Sequence, residues 1–288
     1  MTIEESTDRL DGTDALPRQQ QLIVSLFGLY ARQRGGVLAV ADLIALLGDL
    51  GAEEPAVRSA VSRLKKRGLL NSARINGVAT YAPSEQLIRL LQEGDTRIFT
   101  PRRAAAGDAW LLAAFTVPES QRNLRHVIRS LLTRRGFGSV TPGLWIAPEW
   151  LFDSTWNELE RQGLTGYLHF FRAEPLGDAE IRDRVENAWN LPALQELYCD
   201  FIDRFDPLLS PWTGPGERPP DLEAYRAFVP LVTLWRRLPY LDPGLPLEYL
   251  PDPWPGQVAA DLFRRLTEVL EEPAKRHAES RLSTTAAP

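Results

Sequence analysis

One cysteine, three histidines and a single methionine at position 1 are all the sulfur and imidazole in 288 residues. A lone Cys199 cannot close an intrachain disulfide, and three scattered histidines (His126, His169, His277) build no Cys/His zinc site. No apolar run approaches the ~20 residues needed to cross a bilayer. The opening MTIEESTDRLDGTDALP is acidic and lacks the apolar core of a secretory signal. These absences predict a cytoplasmic protein with no membrane partner. The motifs of familiar catalysis are missing too: there is no GxSxG elbow, no phosphate loop ending in Gly-Lys-Ser/Thr and no HExxH. GFGS at 136–139 follows a predicted helix rather than a strand, so it reads as a helix C-cap. Cys199 lies beside Tyr198, Phe201 and Ile202 and reads as a buried or half-buried thiol rather than a nucleophile. Asp242 and Asp252 sit in Pro-rich loops, where Asp commonly initiates turns. The sequence therefore predicts no enzyme, no catalytic residue and no metal site.

What is present is an uneven charge. The net −5 divides into −4 over residues 1–15, +6 over 16–103 and −7 over 104–288. A basic head on an acidic body suits contact with a polyanion at the head alone.

The head has a readable plan. Residues 1–15 are polar, without periodicity, and predict a disordered tail. Leu22, Ile23, Leu26, Phe27 and Tyr30 recur at helical spacing and predict a helix from Pro17 to Arg34. A short extended stretch (37–40) and a short helix (42–47) follow. Glu53-Glu54-Pro55 then opens a helix closed by Gly68. Val57, Val61 and Leu64 share its inner face, while Arg58, Ser59, Ser62, Arg63, Lys65 and Lys66 occupy the other positions. Asn76-Gly77 is a strong two-residue hairpin signal between strands at 69–75 and 78–81. Three helices and a hairpin make a winged helix-turn-helix. Its third helix suits the DNA major groove: Arg side chains for guanine edges or phosphates, Ser and Lys for phosphate oxygens. Arg74 and Asn76 would sit at the wing tip, within reach of backbone or minor groove. The competing readings are a merely solvated face, or a winged helix used as a protein-interaction scaffold.

The plan then changes. A short helix (84–92) leads into a linker at 93–109. Residues 110–175 read β-α-β-β-α-β, the order of a ferredoxin-like domain. Some ferredoxin-like domains are metal-dependent nucleases with an Asp at the end of the first strand. Here that position reads Phe115-Thr116-Val117-Pro118, which argues against the alternative. Residues 176–275 predict a C-terminal helical domain rich in Trp and Tyr, and 276–288 a tail. Most of those rings would pack a core, and a minority would line an apolar ligand cleft. The fold class is thus α+β: winged helix-turn-helix (16–92), central ferredoxin-like βαββαβ domain (110–175) and C-terminal helical domain (176–275).

Six stretches carry a family likeness: LPRQQQLIVSLFGLY, AVRSAVSRLKKRGLL, WLLAAFTVPE, RRGFGSVTPGLWIAP, YCDFIDRFDPLL and WRRLPYLDPGLPLEYLPDPWPGQVAADLF. In this order, over about residues 16–275, they resemble the PaaX family, transcriptional repressors of phenylacetate catabolism. The resemblance implies a homodimer whose winged helices bind a palindromic double-stranded operator. It also implies release by an aryl-CoA thioester, typically phenylacetyl-CoA or another acyl-CoA, with no resident cofactor. A CoA thioester needs cations for its phosphates and an apolar slot for its aryl end. Arg134, Arg236, Trp235 and Tyr240 are the candidate effector residues.

Overall fold

A computed structural model describes residues 18–32, 35–174, 178–212 and 218–282, so the expected acidic tail and the helix start at Pro17 lie outside the described residues. The chain folds into two compact units. Among the described residues, one comprises Thr100–Cys199 with Arg237–Gln257, and the other residues 18–99 with Asp200–Arg236 and residues 258–282. Both mix helix with a small sheet, an α+β architecture.

In the unit that holds the N-terminal segment, helix α1 (Arg18–Leu26) runs into a wider turn at Phe27–Ala31. Strand β1 (Leu38–Ala39), helix α2 (Val40–Asp49) and helix α3 (Glu54–Lys66) follow, then β2 (Leu70–Ile75) and β3 (Val78–Pro83). The strands form an antiparallel sheet in the order β1-β3-β2. Ile23, Leu26 and Phe27, Leu43, Leu46 and Leu47, and Val57, Val61 and Leu64 are buried, so each of the three helices gives one apolar stripe to a common core.

Helix α4 (Glu85–Phe99) passes well beyond residue 92 into the stretch expected to be linker. Gly94 is buried inside the helix. Tertiary contacts override its propensity. Leu91 lies against Gly28, where an added Cβ would come within 3.1 Å of its Cδ2. Asp95 pairs with Arg32, the Ile98 carbonyl accepts the Trp235 indole N–H at 3.0 Å, and Phe99 meets Phe263.

In the other unit, β4 (Trp110–Phe115), α5 (Asn123–Arg134), β5 (Gly138–Thr141), β6 (Leu144–Pro148), α6 (Phe152–Arg161) and β7 (Leu168–Ala173) follow the β-α-β-β-α-β order. The sheet is fully antiparallel, in the order β5-β6-β4-β7. Leu111, Ala113 and Phe115 face Ile128, Leu131, Leu132 and Leu159 in one core cluster. Gly136 ends α5 at φ 92, with the Phe137 N–H on the Leu132 carbonyl, which is the expected C-cap.

Helices α7 (Asp178–Ala188), α8 (Leu191–Phe205), α9 (Asp221–Trp235), a single turn α10 (Leu238–Leu241) and α11 (Pro255–Arg281) complete the chain. Helix α9 carries Pro230 inside it and ends at Trp235, and one expectation changes beyond it. Residues 276–281, expected to begin a tail, are helical and make specific contacts.

The loop after α10 turns on Asp242. Its buried carboxylate accepts the Gly244 N–H at 2.8 Å, Arg103 at 2.7 Å and the Tyr198 hydroxyl at 2.9 Å. Burial, then the nearby Asp242 charge, pushes the Tyr198 hydroxyl well above its ordinary pKa. Gly244 has φ +67 and a missing Cβ that would fall 2.4 Å from the Arg102 carbonyl oxygen. Gly244→Ala therefore combines backbone strain with a clash, and should lower stability by about 2 kcal/mol. Urea denaturation measures this; an unchanged midpoint would show that the loop relaxes freely.

Candidate nucleic-acid interface

Helix α3 is set by its ends and its inner face. Pro55 stands in its first turn, where its lack of an N–H costs nothing, and the Val57 N–H bonds to the Glu53 carbonyl. At the other end the Gly68 N–H reaches Lys65 O and the Leu69 N–H reaches Leu64 O, with Gly68 at φ 72. Val57, Ala60, Val61 and Leu64 are buried, so Arg58, Ser59, Ser62, Arg63, Lys65 and Lys66 are all turned outward and exposed. The hairpin that follows uses Asn76 at φ 50 and Gly77 at φ 81, the paired left-handed residues of a tight turn. Arg74 pairs with Ala79 two residues before that turn, and both Arg74 and Asn76 are exposed. The structure thus brings all eight expected residues onto the outer surface of one helix and the hairpin beside it.

The electrostatics of this surface are one-sided. Glu54 is the only acid on α3, and it pairs with Arg58 at 2.6 Å; both side chains are about half exposed. Such an i,i+4 pair contributes ~0.3–0.5 kcal/mol, so it yields readily to a phosphate. Lys65 lies 5.9 Å from the Tyr81 ring centroid, which ties the helix to the sheet. Arg67, exposed at the helix C-cap, extends the basic surface. It was absent from the expected set because KKRG read as a helix ending rather than as part of a face.

The helix pair is held from behind. The Asp49 carboxylate, at the end of α2, lies 2.8 Å from His277 Nε2 and accepts Arg281 at 2.8 and 3.0 Å. Its carbonyl accepts Arg226 Nε at 2.8 Å. The Leu46 carbonyl, in the last turn of α2, accepts the buried Tyr225 hydroxyl at 2.9 Å. The Thr233 and Ser25 hydroxyls, 2.8 Å apart, join α9 to α1. Nothing in the local sequence around Asp49 signalled these partners, because they arrive from residues 225–281.

The expected effector residues fall in both units. Trp235 stacks on Phe263 at 4.6 Å and meets Phe201 at 5.2 Å, and Arg236 beside it is buried. Arg134 and Tyr240 belong to the other unit. That unit contains a cavity of about 560 Å³ whose lining includes Arg182, Glu186, Glu248, Tyr249, Asp252 and Trp254. One base against three acids is a poor match for phosphates, and none of the four expected effector residues lines it. Cys199 is exposed, contrary to expectation: on α8 the buried stripe is Leu191, Leu194, Tyr198, Phe201 and Phe205, and position 199 falls off it. Beyond β4 the chain carries no carboxylate until Glu119, which pairs with Arg125. Among the described residues no cluster of His, Cys, Asp and Glu suits a metal, and no helix is long and apolar enough to cross a membrane.

Three family models match in sequence order: the PaaX-like protein at residues 18–93, the PaaX protein central Cas2-like domain at 103–185 and the PaaX-like protein C-terminal domain at 189–280. The transcriptional repressor PaaX of Escherichia coli (strain K12) is 31% identical over 244 residues, covering 84% of this chain and 77% of that protein. The uncharacterized protein Rv0674 from Mycobacterium tuberculosis shares the fold, with a TM-score of 0.58 at 20% identity over 91% of this chain and 99% of that one. These findings define the class: a transcriptional regulator rather than an enzyme. More narrowly, the chain belongs to the PaaX family.

Tyr225 offers a test of the support behind α2. Burial, then Tyr30 and Asp49, pushes its hydroxyl far above the ordinary tyrosine pKa. A raised folded-state pKa gives stability that is full below the unfolded value, ~10, and is lost as pH climbs beyond it. Tyr225→Phe should cost about 1–2 kcal/mol at pH 8 by orphaning the Leu46 carbonyl. Above pH ~10 the variant should lose stability less steeply than the wild type. Parallel chemical denaturation curves at the two pH values decide both points.

Proposed function

We propose that the chain is a DNA-binding transcriptional repressor whose head is a winged helix-turn-helix, joined to a ferredoxin-like central domain. The observation that carries this reading is the outer face of α3. Arg58, Ser59, Ser62, Arg63, Lys65 and Lys66 stand exposed there, beside a hairpin wing bearing Arg74. A helix so faced enters the major groove, where Arg reads guanine edges and Lys and Ser hold phosphate oxygens. The wing brings Arg74 to the neighbouring backbone or minor groove. The sheet order β5-β6-β4-β7, with helices α5 and α6 in the two crossovers, supports the ferredoxin-like assignment.

The repressor acts as a homodimer on a palindromic operator, each α3 taking one half-site about one helical turn (~34 Å) from the other. An acyl-CoA thioester, phenylacetyl-CoA being the type expected of the family, releases it. To take operator occupancy from ~99% to ~1% that ligand must favour the released state by ~5.5 kcal/mol.

A gel shift on the promoter region next to the gene, with and without aryl-CoA compounds, tests the whole reading. Arg63→Ala should weaken operator binding about 5- to 100-fold with the melting temperature unchanged. Arg74→Ala should weaken binding to all sequences alike and lower the slope of log affinity against log salt by ~0.9. Wild-type affinity in both variants would remove α3 and the wing from the interface.

A further inference from the structure

The acidic body of the chain carries one basic exception. Over residues 119–135 there are five Arg and one acid, Glu119, although residues 104–288 as a whole are −7. Most of this stretch is helix α5, NLRHVIRSLLTR, which contains no acid. Its neighbour α6 carries Asp153, Glu158 and Glu160, so the basic character belongs to α5 and not to both helices. An exposed helix face is ordinarily of mixed sign, as where Arg264 sits between Asp261 and Glu268 on α11. A face of one sign in a body of the other calls for a reason.

Burial sets that face. Ile128, Leu131 and Leu132 are buried in the core cluster. At ~100° per residue, Arg122, His126, Arg129 and Thr133 then share the opposite side at i, i+4, i+7 and i+11, and all four are exposed. Arg122 precedes the first residue of α5, but its backbone is already helical (φ −51, ψ −27), so it continues the line. Arg125 and Arg135 are committed to carboxylates, Glu119 at 2.8 Å and Glu158 at 2.9 Å. Arg129 is held by a long 3.4 Å bond to the Pro142 carbonyl, which a phosphate would readily displace. On α3, Arg58, Ser62 and Lys65 stand exposed at the same i, i+4, i+7 spacing.

We infer that the outer face of α5 is a second nucleic-acid contact, and that its occupant is the phosphate backbone of double-stranded DNA. This rests on the DNA-binding reading proposed above and supplements the head without competing with it. The stripe from Arg122 to Thr133 runs ~16 Å along the helix. Duplex DNA offers one negative charge per ~1.7 Å of its axis, so several phosphates fall along that length. Guanidinium, imidazole and hydroxyl groups all donate to phosphate oxygens, a contact that positions a duplex without reading its bases. A small anion would want donors converging on one point, whereas these are strung out along an exposed helix. A protein partner would want an apolar centre. Val127, the exposed aliphatic side chain of α5, stands ~100° round from His126 and off the stripe. With no acid on the helix to repel the backbone, Arg122 and Arg129 can each release a counterion on contact.

Fluorescence anisotropy of the full chain on labelled duplexes, repeated across a salt series, tests this. Arg122→Ala combined with Arg129→Ala should lower the slope of log affinity against log salt by ~1.8. The loss should be the same on operator-bearing and unrelated duplexes, so the ratio of the two affinities and the melting temperature stay unchanged. Arg264→Ala combined with Arg265→Ala removes the same charge from an acid-paired site on α11 and should leave the slope as it is. His126→Cys in a Cys199→Ser background, labelled with an iron–EDTA cleaving group, should cut the bound duplex. A wild-type slope in the α5 double variant, or no cutting from position 126, overturns the second contact. If Arg63→Ala still weakens binding in that series, the repressor reading stands. A change in sedimentation with the slope intact would assign the face to a protein partner and equally overturn the inference. A wild-type chain that binds no duplex overturns both readings.

Discussion

The Asp49 carboxylate is the point on which the basic head depends. It closes α2 just before the short turn into α3, so whatever fixes Asp49 fixes where α3 begins. His277 and both nitrogens of the Arg281 fork converge on its oxygens, and Arg226 takes its carbonyl. Removing one partner from such a half-buried cluster leaves charge uncompensated where water reaches poorly. The carboxylate thus holds by electrostatics what the leucines of α2 hold by burial. The basic outer face of α3 can stay polar and exposed because its geometry is maintained on the opposite side.

Much of this was legible in the sequence because it is local. The apolar spacing of Val57, Val61 and Leu64 orients α3 whatever surrounds it, and Asn76-Gly77 specifies a tight hairpin by backbone conformation alone. The order of elements in the central domain is likewise written in alternating periods. Long-range contacts were not legible. Residues 93–99 read as linker until Phe263, Trp235 and Arg32 are seen fastening them as helix. His277 and Arg281 read as a polar tail until Asp49 appears opposite them. Cys199 read as buried from its apolar neighbours, since a helix places adjacent residues ~100° apart and so on different faces.

The charge division gains a structural meaning here. Six exposed bases of the head (Arg58, Arg63, Lys65, Lys66, Arg67 and Arg74) lie on α3, its C-cap and the hairpin beside it, which concentrates the field where a polyanion would approach. The acids of the remaining chain often have local partners, as in Arg264 with Asp261 and Glu268 on α11. Their number keeps the body from competing for the same polyanion.

The compact unit that contains residues up to Phe99 also contains Asp200–Arg236 and the chain from Val258. Tyr225, Phe228, Val229 and Trp235 fill its interior from the far end of the sequence. The head is consequently not a cassette. A fragment ending at Phe99 would leave the Leu46 carbonyl without its donor and the Asp49 carboxylate without His277 and Arg281, and would lay bare the apolar flank of α1. Moving this head onto another protein would require transplanting α9 and most of α11 with it. Recombination at the junctions between family segments would break the molecule, even where it leaves every segment whole.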